Sequence, residues 1–345
     1  MTEGGRDMNS KKQSPLKRLL GIRGMGAALT AFVGLIIIYA AFGLINSAVF
    51  SGQNISNLLR SMSKYLLIGI AQSYVLITGN IDLSIGSMVG MSAMIAATLM
   101  TRGVSPVIAI VVALASCIVV GVINGYLVGK FKLPPFIATL GTMFVTRGIA
   151  YMVNSNRNTD AIATGIGKEA GDSFQNFFYY GTTLGIYNTF WIAMIMFVIF
   201  FFLLSKTRTG RHIYAIGSNI DAAKLSGVNV VATTTKAYLV SAVCSCMVGL
   251  ILCAQASMGN MEAGNMYEMY GVAAGVIGGV SPLGGTGILL GTLAGAAVWQ
   301  TLENGLNMIG AQVGIQRVVI GIIVVAAVLL DVVIRNGEFG KKKAK

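Results

Sequence analysis

Long apolar stretches between widely spaced charged residues constrain the fold of this chain more than any other feature. Residues 103–129, 237–261 and 269–302 each contain no Asp, Glu, Lys or Arg. Charged residues make up only 11% of the chain, whereas ordinary globular domains contain about 25%. A membrane-spanning helix needs about 20 consecutive, mostly apolar residues, so each stretch is long enough to cross a bilayer. The sequence therefore predicts an all-α, polytopic membrane protein.

The apolar runs predict about ten transmembrane helices, with eight to ten as the range. The predicted spans are 27–50, 65–78, 87–100, 107–129, 135–153, 188–204, 237–256, 270–280, 287–302 and 318–334. The first run is longer than the apolar core of a secretory signal, which has about 7 to 15 residues, so we expect a retained span. The runs 65–78 and 270–280 are too short to cross straight, and we predict that they are broken or re-entrant. Irregular backbone at membrane depth must be buried in protein or line a wet cavity.

Lysine and arginine are concentrated in a few segments, and this distribution predicts the orientation. Basic residues near span ends stay on the cytoplasmic side. We therefore expect three cytoplasmic segments: the N-terminal segment 1–26, the loop 205–236 and the tail 335–345. The transmembrane domain between them spans 27–334, and its segments 154–187 and 257–270, which are poor in basic residues, are expected outside.

Three basic residues do not fit this orientation, because the threading leaves Arg60, Lys64 and Arg317 in outer segments. The net charge of +13 is explained by the cytoplasmic basic segments and by attraction to anionic lipid. Nucleic-acid binding is not needed to account for it.

The composition gives little support for catalysis. The four cysteines, Cys117, Cys244, Cys246 and Cys253, all lie in apolar spans, where thiols behave as small hydrophobic groups. Their spacing predicts neither a disulfide nor a metal site, and no cofactor is expected. The glycine-rich stretch 284–287 lacks the lysine of a nucleotide-binding P-loop. If ATP drives this protein, a second polypeptide must bind it.

Three polar residues near the spans are candidates for a pathway or gate. Asp82 and Ser84 stand where a short span meets a turn, and a carboxylate at a helix centre costs about 2.5–3.5 kcal/mol unless it has a partner or water. Asp82 therefore has two open interpretations, a gating group or an N-cap of the next span. Glu268 either faces the outer mouth of a pathway or marks the membrane interface. Arg147 is expected to extend towards the outer surface.

Two glycine-rich segments form a weak internal repeat. Residues 79–86, with Gly90 after them, are similar to residues 279–287, with Gly291 after them. Each segment follows a short apolar run, and each is later followed by an Asn-Gly pair. Glycine pairs permit tight turns between half-helices and close contacts between helix backbones.

The longest basic loop contains the stretch Asp221-Ala222-Ala223-Lys224-Leu225-Ser226-Gly227. A polar, glycine-terminated short helix between two apolar spans is suited to docking a soluble partner on one side of the bilayer. The stretch therefore predicts a transport subunit that is driven by another protein.

Five segments in the same order resemble the ribose/xylose/galactose-type permeases of bacterial ABC importers. They are residues 79–86, 135–142, 207–211 with 215–217, 221–227 and 277–281. The resemblance implies a multi-pass permease of the bacterial inner membrane, and not itself an enzyme. It implies as partners a cytoplasmic ATPase, an external sugar-binding protein and a second permease copy. It also implies that Gly217, Asp221, Ala222, Ala223 and Gly227 couple the permease to the ATPase, with Asp221 where relatives have Glu.

Two departures from the family pattern leave the substrate open. Residues 267–270 read Tyr-Glu-Met-Tyr where relatives commonly have Tyr-Glu-Leu-Asp, and Asn80 replaces a usual glycine. The alternatives are a branched-chain amino acid ABC permease and an ion-coupled secondary transporter, which would carry its own coupling carboxylates at mid-membrane.

Overall fold

The computed structural model describes residues 25–319, 321–323, 325–326 and 329 of the 345. The predicted tail 335–345 lies outside the described residues, as do nearly all of the predicted N-terminal segment 1–26 and most of the predicted span 318–334. Every structural statement below concerns the described part of the chain.

The described chain is almost entirely helical. The long helices are α1 (Met25–Ile45), α2 (Gly52–Ile77), α3 (Ile85–Thr101), α4 (Pro106–Gly129) and α5 (Pro135–Met152) in the first half. After them come α6 (Ala163–Ile166), α7 (Lys168–Gln175), α8 (Asn188–Lys206), α9 (Arg208–Ser218), α10 (Ile220–Leu225), α11 (Val230–Ala256), α12 (Tyr267–Ile277) and α13 (Leu289–Met308). A 3-10 turn (Ser47–Phe50) follows α1, a π-helical turn (Asn176–Tyr180) follows α7, and a further helical segment begins at Val313.

A two-stranded hairpin is the only sheet among the described residues. Strand β1 (Thr182–Thr183) pairs antiparallel with β2 (Ile186–Tyr187), so that Thr182 lies opposite Tyr187 and Thr183 opposite Ile186. The hairpin leads into α8.

Three helices form the centre of the bundle. The second half of α2, nearly all of α3 and most of α11 are buried. By contrast, α4, α5 and α8 expose large apolar side chains such as Val111, Phe144 and Val198. Four helices, α1, α4, α8 and α11, are long and apolar enough to cross a membrane. This pattern is that of a polytopic membrane protein whose outer helices face lipid or another apolar surface.

The structure corrects one of the two short-span predictions and confirms the other. The run 65–78 is the second half of α2, a continuous helix of 26 residues, because the polar residues from Gly52 onward extend it. The prediction of a broken helix there is wrong. The run 270–280 corresponds to α12, which has only 11 residues and is about 16 Å long. The helix is therefore too short to cross straight, as predicted, and the non-helical residues 278–288 separate it from α13.

The predicted cytoplasmic loop 205–236 is shorter and more ordered than expected. Helices α9 and α10 occupy most of it, and α11 begins at Val230, so Lys236 belongs to a long helix. At the opposite end of the bundle the two predicted outer segments contact each other. Backbone hydrogen bonds join Thr159 to Gly259 (3.1 Å) and Ile162 to Ser257 (2.8 Å).

Candidate functional site

Helix α10 contains most of the predicted coupling residues and is capped at both ends. Asn219 accepts the backbone N–H of Ala222 through Oδ1 at 2.9 Å. At the other end Gly227 has φ +80° and completes a Schellman motif. In that motif the N–H of Gly227 bonds to Lys224 O (2.9 Å) and the N–H of Val228 to Ala223 O (3.0 Å). Local hydrogen bonds therefore determine where α10 begins and where it ends.

The two faces of α10 differ in exposure. Ala223 is buried, whereas Leu225 is 92% exposed. Asp221 and Lys224 lie on the exposed surface and form an ion pair at 3.5 Å. An exposed leucine beside opposite charges is a surface suited to contact another protein.

Helix α9 connects α10 to two glycine-rich loops, which we call the first glycine loop (residues 78–84) and the second glycine loop (residues 278–288). The N–H of Gly285 donates to Ile77 O at 2.9 Å, which joins the second loop to the end of α2. A Cβ atom at Gly217 would overlap Ile77 O and lie 2.6 Å from Gly285 N. A Cβ at Gly284 would lie 2.9 Å from Gly217 O and from Gly79 Cα. We call this three-way contact the loop junction.

Tyr214 also binds α9 to the second glycine loop. Its hydroxyl donates to Gly287 O at 2.6 Å. Burial raises the pKa of Tyr214 to about 12, so the hydroxyl remains a donor at neutral pH. A groove of about 410 Å³ opens beside this contact, lined by residues that include Arg211, Ser218 and Ile288.

The helices that lead into the two glycine loops end in the same way. The N–H of Gly79 bonds to Leu76 O (2.8 Å) and that of Asn80 to Val75 O (3.2 Å). Gly279 and Val280 make the corresponding bonds to Val276 and Gly275 (2.8 and 2.9 Å), and both glycines have positive φ. The repeated sequence is thus a repeated helix–Schellman–loop–helix unit.

The structural similarity of the two units does not extend to the Asn-Gly pairs that follow them. Asn124 donates to Ser84 at the end of the first loop, whereas Asn304 exchanges hydrogen bonds with Asn54 near the start of α2.

Asp82 is completely buried, and its carboxylate is well satisfied. Oδ1 accepts the backbone N–H of Ser84 (2.9 Å) and the Ser84 hydroxyl (2.6 Å), and Oδ2 accepts the hydroxyl of Ser241 (2.7 Å). Ser84 is the N-cap residue of α3, but its side chain accepts no backbone N–H of that helix. Asp82 therefore does not cap α3 directly. It holds Ser84, the residue just before α3, in position, and it links the first glycine loop to α11.

A chain of hydrogen bonds continues from Ser84 into two further helices. Asn124 on α4 donates through Nδ2 to Ser84 Oγ (2.9 Å) and accepts the hydroxyl of Thr142 on α5 (2.8 Å). Buried polar groups joined in this way hold helices in one arrangement, since an unpaired partner would be costly. Asn124 and Ser241 were not predicted as site residues. The Asn124-Gly125 pair in the repeat was a signal for Asn124, and no feature of the sequence marked Ser241.

Glu268 and Arg147 lie at the interruption between α11 and α12. The Glu268 carboxylate sits directly against Gly86, where a Cβ atom would overlap it. Arg147 donates to Met261 O (2.8 Å), Ala263 O (3.0 Å) and Gly86 O (3.3 Å). Arg147 therefore binds the backbone of the predicted outer segment 257–270, and its extension towards the outer surface stays a prediction. Its guanidinium satisfies carbonyls of the non-helical segment, which have no helical partner.

The predicted site residues thus form two groups. Gly217, Asp221, Ala222, Ala223 and Gly227 belong to α9, α10 and the turn after them. Asp82, Ser84 and Glu268 lie around the start of α3, inside the bundle. The first glycine loop connects the groups, because it contacts the loop junction at Gly79 and contains Asp82.

Comparisons with known proteins agree with this arrangement. Residues 54–328 match the family described as "Branched-chain amino acid transport system / permease component". The chain is 38% identical to the ribose import permease protein of Bacillus subtilis, over 94% of this chain and 98% of that protein.

Two relatives from Escherichia coli K12 are each 33% identical and cover 87% of this chain. They are the D-allose transport system permease protein (90% of its length) and the galactose/methyl galactoside import permease protein (92% of its length). No solved structure matches the chain significantly.

Proposed function

The chain belongs to the family of transport permeases that includes the permease components of branched-chain amino acid systems, and we propose that it is the membrane permease of an ATP-driven importer for a monosaccharide. Its relatives over nearly the whole chain are named for ribose, allose and galactose import. We propose that both termini are cytoplasmic and that the chain lies in the bacterial inner membrane.

The observation that carries this proposal is the seating of α9, which leads directly into α10, on the loop junction. A partner that pushes on α10 also moves α9, because the two helices are separated only by Asn219. The contact at Gly217 then passes this movement to both glycine loops, which lead into α3 and α13. Leu225 offers an apolar anchor for the partner, because burial of an exposed leucine side chain contributes about 1.5–3 kcal/mol. We propose that the partner is a cytoplasmic ATPase and that Gly217, Asp221, Ala222, Ala223 and Gly227 form the coupling element.

Two further partners follow from an import function. An external binding protein would deliver the sugar to the end of the bundle formed by residues 154–187 and 257–270. A second permease copy would complete the pathway, and the exposed apolar face of α5, with Phe136, Phe144 and Met152, is available for it or for lipid. Asp82, Ser84 and Glu268 are proposed as gate residues between these two ends.

The buried carboxylate at Asp82 bears on the alternative of an ion-coupled transporter. A coupling carboxylate must exchange its ion or proton with the pathway. Both oxygens of Asp82 are already bonded to Ser84 and Ser241, and the side chain has no exposed surface. This geometry favours a carboxylate that holds the proposed gate together through Ser84 and Ser241 rather than one that carries an ion, and it favours an external energy source. A branched-chain amino acid substrate remains the alternative within the family.

Purification of the tagged chain in mild detergent, followed by identification of stoichiometric partners, tests the proposal. We expect an ATPase to co-purify. The Leu225→Asp variant should no longer bind the ATPase, because a charge replaces the apolar anchor. The Leu184→Asp variant, at a similarly exposed leucine in the hairpin, should still bind the ATPase. A functional oligomer of this chain alone would contradict the proposal, as would retention of the ATPase by Leu225→Asp.

A further inference from the structure

Four aromatic rings and one carboxylate meet where α12 begins. Tyr65, Tyr267, Tyr270 and Trp299, which we call the aromatic cluster, have ring centroids 5.0–6.3 Å apart. The hydroxyl of Tyr65 donates to Glu303 Oε2 at 2.7 Å. The members come from three helices, α2, α12 and α13.

The cluster lies beside an interrupted helix. Tyr267 and Tyr270 occupy the first turn of α12, directly after the non-helical residues 257–266. In transporters, substrates bind where helices are discontinuous, because unwound backbone and short helices leave polar groups available there. Tyr65 and Trp299 are buried, whereas Tyr267 and Tyr270 keep partial exposure. The rings are therefore approachable from the α12 side.

A buried amide beside the cluster, that of Gln72, has no hydrogen-bond partner among the described residues. Both amide atoms of Gln72 are unpaired, and Gln72 follows Tyr65 by two helical turns on the same face of α2. Its Cβ atom packs against Gly271, the residue after Tyr270. Buried polar groups normally have partners, so these atoms indicate a ligand that supplies donors and acceptors.

The charges near the cluster indicate that this ligand is neutral. Rings around a carboxylate could bind a cation, but Glu303 interacts electrostatically with Lys64, and Tyr270 with Arg317. Arg60, one turn before Lys64, lies 4.6 and 4.0 Å from the ring centroids of Tyr179 and Tyr187. Arg60, Lys64 and Arg317 are the three basic residues that the predicted topology leaves in outer segments, where basic residues are not expected. These three positive charges would repel a cationic ligand, and they balance the negative charge of Glu303.

We propose that the aromatic cluster and Glu303 bind the sugar during its passage. This inference rests on the proposed import function and names the part of the chain that recognises the substrate. The apolar C–H face of a sugar ring stacks on aromatic rings, while its hydroxyl groups donate to Glu303 and pair with the amide of Gln72. A carboxylate that accepts from a hydroxyl makes a hydrogen bond about twice as strong as a neutral pair.

Tryptophan fluorescence tests this site, because the chain has only two tryptophans, Trp191 and Trp299. In the assembled transporter, with the partner subunits made free of tryptophan, Trp191→Phe leaves Trp299 as the reporter. Titration with D-ribose, D-allose or D-galactose should give a saturable change in emission. Glu303→Gln in that background should weaken the apparent affinity about tenfold or more, since it removes a charged acceptor. Arg102→Gln, at an exposed charged residue just after α3 and outside the segments 154–187 and 257–270, should have no effect.

The outcomes separate this site from the function. If Trp191→Phe imports a sugar but no sugar changes Trp299 emission, the site is overturned and the import function stands. If Glu303→Gln inserts normally and binds the sugar with unchanged affinity, the role of Glu303 is refuted. If L-isoleucine changes the emission and none of the sugars does, the sugar assignment of both the site and the transporter is contradicted.

Discussion

Replacing Gly217 by alanine should uncouple the ATPase from the membrane helices. Gly217 lies where α9 meets the end of α2 and the second glycine loop, and its added Cβ would meet backbone atoms on both sides, Ile77 O and Gly285 N. Backbone cannot rotate away as a side chain can. The loop junction must therefore open, and the hydrogen bond from Gly285 N to Ile77 O (2.9 Å) must lengthen or break.

The cost follows from these two effects. Overpacking in a closely packed region costs about 1–3 kcal/mol, and a lost hydrogen bond costs about 0.5–1.5 kcal/mol. Together they destabilise the seated arrangement by roughly 2–4 kcal/mol. A difference of 2 kcal/mol already changes the population of the seated state about 30-fold. The bundle itself should persist, because most of its core lies in α2, α3 and α11, and Gly217 meets only the last residue of α2.

Stimulated ATPase activity in the reconstituted complex measures this effect. We expect Gly217→Ala to lose most of the stimulation by the loaded binding protein while it inserts normally. Gly227→Ala provides a nearby comparison, because its Cβ meets nothing and only the positive φ is strained, at about 1–2 kcal/mol. Gly227→Asn should be milder, since Asn tolerates this conformation. Gly34→Ala in α1, where a Cβ also meets nothing, should be neutral.

Full stimulated ATPase activity in a normally inserted Gly217→Ala protein would refute the role of the loop junction. Equal losses in Gly217→Ala and Gly34→Ala would refute the steric reasoning.

Three further predictions concern the interior and the orientation. Asp82→Asn should keep most insertion and uptake, because the amide can still bond Ser84 and Ser241. Asp82→Ala should lower the free energy of unfolding by about 1–3 kcal/mol, because it leaves the two serine hydroxyls unpaired. Normal insertion of the Asn variant without uptake would show that the charge is required. Arg147→Leu should lower the thermal stability of the purified protein by about 1.5–3 kcal/mol, because carbonyls of residues 257–266 lose a charged donor; an unchanged melting temperature would contradict this. Cysteines introduced at the exposed positions Arg208 and Asp160 should react with an impermeant reagent only from the cytoplasm and only from outside, respectively, with the four buried native cysteines silent; the reverse pattern would overturn the orientation.

The sequence was informative where local chemistry decides the structure. Gly227 predicted the end of α10, and Asn219 and Gly227 cap this helix without help from the rest of the fold. The repeated glycines likewise marked two loops, because a Schellman turn needs a residue with positive φ at Gly79 and Gly279.

Long-range contacts could not be predicted in this way. Apolar patterning did not show that α2 extends through Arg60 and Lys64, since only tertiary contacts such as the rings around Arg60 accommodate these charges. The same is true of Asp82 and Ser241, which are 159 positions apart in sequence but bonded at 2.7 Å. The hydrogen bonds of Arg147 could not be predicted either, because its carbonyl partners lie more than 100 residues away in sequence.

Uptake of radiolabelled D-ribose into proteoliposomes tests the central claim most directly. The vesicles would contain the permease and its co-purified ATPase, with ATP inside and the binding protein outside. We predict accumulation that requires internal ATP, persists when ionophores collapse all ion gradients, and is competed by D-allose or D-galactose but not by L-isoleucine. Uptake abolished by ionophores at full ATP, or uptake of L-isoleucine in place of the sugars, would contradict an ATP-driven monosaccharide permease.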